Sequence, residues 1–97
     1  MVAFSMENFD SLFQVILKLQ TVEECRKFFE DVCTIKEMQA ISQRLEVAEL
    51  LSKGKNYQEI SKTTGASTAT ISRVAKCLNY GAGGYRLVLE QKEQSNQ

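Results

Sequence analysis

The chain has 97 residues, 12 Lys/Arg against 12 Asp/Glu, 43% apolar and 25% charged side chains, and neither proline nor histidine. This is the size of one domain of ordinary globular composition, which excludes a multi-domain protein and a broadly disordered one. Without histidine, neither a Cys–His nucleophile nor a Cys/His zinc site can form, and Cys25, Cys33 and Cys77 lack paired metal spacing.

Helical punctuation runs along the chain, and strand-like alternation is weak. Phe9, Leu12, Phe13, Ile16, Leu17 and Leu19 make a helical stripe in a first helix expected from about Glu7 to Leu19. Phe4 adds aromatic bulk ahead of it. Thr21 and Glu24 have capping-box spacing for a second helix, with Val22, Cys25, Phe28, Phe29 and Val32 at its apolar positions. Thr34 and Glu37 repeat the signal before a long third helix through about Ser52, closed by Gly54. Its candidate core positions are Ile35, Met38, Ala40, Ile41, Leu45, Ala48, Leu50 and Leu51. The first helix is so apolar for its length that burial against a second copy is the simpler outcome.

Residues 57 to 78 read as a helix-turn-helix. Asn56 with Glu59 can cap the first helix, Gly65 supplies the positive φ of a sharp turn, and Ser67 can cap a second helix from Thr68 to about Leu78. Ile60, Ala66, Ile71 and Val74 would point into the angle of the pair, with Leu78 one turn further on. Ser61 is small, as a close crossing requires. The opposite face carries Thr68, Ala69, Ser72, Arg73 and Lys76, with Thr70 nearer its edge. Short hydrogen-bonding, methyl-bearing and cationic groups suit base edges and phosphates in a major groove. An ordinary helical hairpin would share the inner pattern, so the outward face carries the inference.

Charge is segregated in the same sense. Residues 1–50 hold five Lys/Arg against nine Asp/Glu, and residues 51–97 hold seven against three. Between Leu51 and Tyr80 the one acid is Glu59, against Lys53, Lys55, Lys62, Arg73 and Lys76. The four lysines would supply sequence-independent attraction to phosphates. Asn79 to Gly84 is a glycine-rich turn; it follows a helix and lacks the Lys-Ser/Thr of a phosphate-cradling loop. Tyr85, Leu87, Val88 and Leu89 seed a short last helix, and the polar stretch Gln91–Gln97 reads as a frayed tail. The expected architecture is all-α, six helices in one domain spanning 1–97.

The helix order and the segment Gly65-Ala-Ser-Thr-Ala-Thr-Ile-Ser-Arg73 resemble the tryptophan repressor family. Cys33-Thr-Ile-Lys-Glu37, Gln43-Arg44 and Leu78-Asn-Tyr-Gly-Ala-Gly-Gly-Tyr85 resemble its Trp-repressor-related members of the YerC/YecD type, over about Asn8 to Glu90. The resemblance implies an intertwined all-helical homodimer that regulates transcription by binding an operator. Carried over, the operator-facing positions fall on Thr68, Ala69, Thr70 and Ser72, with Lys62 or Ser61 as a phosphate contact. The family's effector pocket falls on Thr34, Arg44 and Arg73. Thr34 and Arg44 match if one residue is skipped later in the chain; a gapless alignment puts Gln43 in place of Arg44. The repressor has glycine directly after the arginine, where this chain has Val74. A branched side chain where a ligand needs close backbone approach implies a regulator that does not respond to tryptophan. It also frees Arg73 for guanine or phosphate.

The sequence thus predicts a dimeric, sequence-specific DNA-binding transcriptional regulator whose partners are double-stranded DNA and a second copy. A small-molecule effector of unspecified chemistry is left open, and no cofactor or metal is expected. The alternative is a helical protein–protein interaction adaptor that does not bind DNA. No nucleophile, base and oxyanion donors converge, so an enzyme is not expected. Reduced thiols, no secretory signal pattern and no span-length apolar run point to a cytoplasmic protein without a membrane partner.

Overall fold

The structure, a computed structural model, describes residues 5–95; Phe4, Asn96 and Gln97 lie outside the described residues. A 3-10 turn, Met6–Phe9, is followed by α1 (Asp10–Ile16), α2 (Val22–Val32), α3 (Ile35–Ser52), α4 (Tyr57–Thr64), α5 (Thr68–Tyr80) and α6 (Gly84–Ser95). The fold is all-α with the six expected α-helices, and the described residues contain no strand. The chain divides into two compact units, with the boundary in the sequence between Ile35 and Lys36.

In the first unit, Ser5 Oγ accepts the Glu7 N–H at 3.3 Å and starts the 3-10 turn. Helix α1 ends at Ile16 rather than at Leu19. Its bonding tightens there, with Lys18 N–H donating to Val15 O at 3.1 Å and Leu19 N–H to Ile16 O at 3.0 Å. The tightening brings the chain to Thr21, whose extended backbone opens α2. Thr21 Oγ1 accepts the Glu24 N–H at 3.1 Å, and the Glu24 carboxylate accepts the Gln20 N–H at 2.9 Å. The reciprocal bond thus closes one residue upstream of the usual box. The Phe28 and Phe29 rings meet edge to face at 5.1 Å. None of the described residues of the 3-10 turn, α1 or α2 is buried.

The second unit holds the core. Val47 and Ala48 of α3, Ile60 of α4, Ala66 of the turn, and Ile71 and Val74 of α5 form one buried cluster. Leu50, Leu51, Tyr85 and Leu89 pack against it, and Leu78 is buried one turn further along α5. This corrects the expected core of α3. Val47, which was not among its expected core positions, is fully buried, whereas Ile35, Met38, Ile41 and Leu45 are exposed. The apolar residues of α3 lie on more than one face, and periodicity alone does not say which face turns inward. Two ends also run longer than predicted. Helix α5 continues past Leu78 to Tyr80, and the stretch expected to fray is helical through Ser95. Gln, Lys and Glu are good helix formers, and Lys92 Nζ reaches Glu49 Oε2 of α3 at 2.8 Å. Among the described residues no helix is long and apolar enough to cross a membrane.

Candidate nucleic-acid interface

The pair α4 and α5 is built from local chemistry. Asn56 Oδ1 accepts the Glu59 N–H at 2.9 Å and opens α4. Gly65 closes it with a φ of 75° and donates its N–H to Ser61 O at 2.8 Å. That left-handed backbone is where glycine is preferred. Hydroxyls then stitch the turn. Thr64 Oγ1 donates to Ile60 O at 2.7 Å and accepts the Ala66 N–H at 3.1 Å. Ser61 Oγ donates to Ala66 O at 2.9 Å. From α3, Gln43 Nε2 donates to Thr64 O at 3.1 Å. The bond from Gln43 fills a carbonyl that the end of α4 leaves without a partner, and the others tie the turn to α4.

Ser67 opens α5 by accepting the Thr70 N–H at 3.1 Å. The inner side of α5 is set by buried Ile71, Val74 and Leu78. The helix stops at Gly81, whose N–H bonds Cys77 O at 2.8 Å; a Cβ on Gly81 would run into that same carbonyl. Arg86 of α6 reaches back to this end. Its Nε donates to Leu78 O at 2.9 Å, and its Nη2 to Asn79 Oδ1 at 3.3 Å.

Opposite the core, Thr68, Ala69, Ser72, Arg73 and Lys76 are all exposed on α5. Thr70 is half-buried, and its hydroxyl sits 3.1 Å from Ser67 Oγ, which places it at the margin. Lys62 of α4 and Thr68 of α5 line one open depression together with Tyr57, Gln58 and Ser61. Tyr57 and Gln58 lie outside the predicted outward face; the signal for them in the sequence is their place in the first turn after the Asn56 cap. Lys55 lines a different depression, with Leu50, Glu59 and Thr63. Lys53 is paired with Glu49 at 3.3 Å. Hydrogen bonds from Lys92 and then Lys53 hold the Glu49 carboxyl below its ordinary range, against a smaller opposing effect of burial. Among the described residues Lys55, Lys62, Arg73 and Lys76 make no ion pair within the chain.

The residues of the expected effector pocket fall as follows. Thr34 stands between α2 and α3, in the first unit, and Arg44 lies on α3 in the second; both are exposed. Gln43, the alternative match to Arg44, is half-buried and occupied by Thr64 O. Val74 is 3% exposed within the core cluster. Cys77 is exposed, and Cys25 and Cys33 are half-buried and free.

Residues 7–93 match the model of the family described as Trp repressor protein. YerC of Bacillus subtilis (strain 168), an uncharacterized protein, is 51% identical over 89 residues, covering 92% of this chain and 86% of YerC. Two crystal structures superpose with a TM-score of 0.86 each. One, of a candidate Trp repressor from Staphylococcus aureus, is 44% identical and covers 92% of this chain and 89% of that one. The other, of a TrpR-like protein from Eubacterium eligens ATCC 27750, is 49% identical and covers 92% of each chain.

Proposed function

The chain belongs to the Trp repressor family of DNA-binding regulators, and on that premise we propose that it is a dimeric, sequence-specific transcriptional regulator working without tryptophan. The observation that carries the reading is the outward face of α5. It is exposed, free of acids, and opposite a buried face that fixes the helix in the unit. Thr68 and Ala69 stand at its amino-terminal end, the part of a recognition helix that meets base edges. Their methyl groups suit thymine, the hydroxyls of Thr68 and Ser72 suit either kind of base edge, and Arg73 suits guanine or a phosphate. Thr70 contributes less, because its hydroxyl is already engaged by Ser67. Lys62, beside Thr68, serves a phosphate, while Lys55 and Lys76 add general attraction. Lys53 adds least, since Glu49 offsets its charge.

A second copy is supported by the apolar residues left outside the core. Leu17 is 82% exposed, Ile35 77% and Val22 68%. Two copies about a two-fold axis would present their α5 helices to half-sites roughly 34–36 Å apart, one turn of DNA. Independence from tryptophan is supported by Val74. It stands directly after Arg73, where the resemblance puts a glycine, and its branched side chain is committed to the core. Reduced thiols fit a cytoplasmic setting.

Selection of bound sequences from random DNA, repeated with and without free tryptophan, tests the reading. The expected outcome is one two-fold-symmetric motif enriched equally in both conditions. Enrichment of no motif in either condition would overturn the DNA-binding reading and leave an interaction adaptor. Enrichment only with tryptophan would overturn the effector-independent reading.

A further inference from the structure

We propose that Gln43 and Arg86 are positioning residues that hold the recognition helix α5 in its DNA-reading pose, one from each end. The proposal rests on the DNA-binding reading above. Burial of Ile71, Val74 and Leu78 holds α5 against the unit, but hydrophobic contact is non-directional. It does not by itself fix how far the helix rotates or slides. Hydrogen bonds are directional, and two that span separate elements bracket α5. Before it, Gln43 of α3 donates to the carbonyl of Thr64, the last residue of α4, at 3.1 Å. After it, Arg86 of α6 donates to Leu78 O in the final turn of α5, at 2.9 Å, and to Asn79 Oδ1 at 3.3 Å.

Both carbonyls lie where a helix runs out of its own donors, so each bond fills an acceptor site that the helix leaves open. The guanidinium also places a positive charge at the negative end of the α5 dipole. Neither side chain was visible to the motif. Gln43 is 21 residues away from its acceptor along the chain, and Arg86 is 8 residues away. Arg86 is cationic, yet two of its donors are engaged within the protein, which separates its role from that of a phosphate contact. A helix bracketed in this way is set before DNA arrives, which is what an effector-free regulator needs.

The test uses the full chain with Gln43→Met and Arg86→Met, singly and together, and with Arg86→Lys. The methionines keep stem volume and remove the donors; the lysine keeps the charge and part of the donation. Affinity for the selected DNA and its salt dependence are measured, together with hydrogen exchange of the α5 amides in free protein. Each single loss of a donor should weaken binding about two- to tenfold, and the pair more. The slope of log affinity against log salt should stay unchanged, since no phosphate contact is lost. The α5 amides should exchange faster in each Met variant, with Arg86→Lys in between.

Unchanged affinity with unchanged exchange would overturn the proposal. So would a salt slope flattened by about one unit in Arg86→Met, which would put Arg86 on a phosphate. Should the parent chain select no DNA, the function reading falls. The exchange of α5 amides then decides the positioning role by itself: faster exchange in the variants supports it, and unchanged exchange ends it.

Discussion

Two regions of this chain use apolar residues in opposite ways. From the 3-10 turn through α2, the chain carries Leu12, Phe13, Val15, Leu17, Val22 and Val32, and every one of these is exposed. From Lys36 onward, seven residues between Val47 and Leu78 are buried, and four others pack against six of them. Both regions are helical and capped by the same kinds of side chain, so secondary structure does not separate them. The difference is whether apolar faces meet inside one chain. In the region around α4 and α5 they do, and that region can set its geometry alone. In the amino-terminal region no described residue is buried, and on the dimeric reading proposed above its stripe is the surface that a second copy would cover.

The comparison can be broken or sharpened by substitution. Ile71→Ala should give the largest effect, a loss of about 2–5 kcal/mol in denaturant unfolding, because the side chain is fully buried in the core. A loss under about 1 kcal/mol would mean that this core does not hold the region together. Phe13→Ser should instead leave α4 and α5 intact and weaken self-association about tenfold or more, read by sedimentation over a range of concentrations. An unaltered association constant would break the assignment of the amino-terminal stripe to a second copy.

Arg73→Ala addresses the outward face rather than the core. DNA affinity should fall by about 1–3 kcal/mol with specificity relaxed at one base pair, whereas thermal stability should barely move. Equal loss on all sequences would reassign Arg73 to a phosphate. Gly65→Ala should cost about 1–2 kcal/mol of stability. A Cβ there would meet nothing within 4 Å, so the penalty is conformational, from a φ of 75°.

Glu49→Gln should give the smallest effect, at most about 1 kcal/mol for a partly exposed pair of ion bridges. Its sign with pH is definite. A carboxyl held below its unfolded value stabilises fully above the ordinary carboxylate range, and loses that contribution as pH falls through the folded value. Wild type and variant should therefore differ in thermal unfolding at neutral pH and converge in acid. A gap that widens in acid would break the assignment.

The helix-turn-helix was legible because its signals are local. Asn56, Gly65 and Ser67 each act within a few residues, and all three sit where their chemistry predicts. Ile60, Ala66, Ile71, Val74 and Leu78 follow from the angle between two helices whose inner sides are well separated from their outer ones, and all are buried. Helix α3 is less legible, because its apolar residues lie on more than one face: the pattern points to Ile35 and Ile41, which are exposed, and passes over Val47, which is buried. The bonds from Gln43 and Arg86 were out of reach for another reason. Each joins separate elements, and a hydrogen-bond partner leaves no periodic trace in sequence. The outward face of α5 is legible as an exposed surface, with Thr70 at its edge as expected, half-buried and 3.1 Å from the Ser67 hydroxyl.

Gly81 gives the motif a fixed length. Helix α5 stops where an added methyl would meet the carbonyl of Cys77, so its end is specified by an atom the chain leaves out. Transplanting α5 into another scaffold would have to carry this glycine along to keep the same end. A lineage that acquires any side chain at position 81 must re-cut the helix terminus in the same step, and with it the place from which Arg86 takes hold.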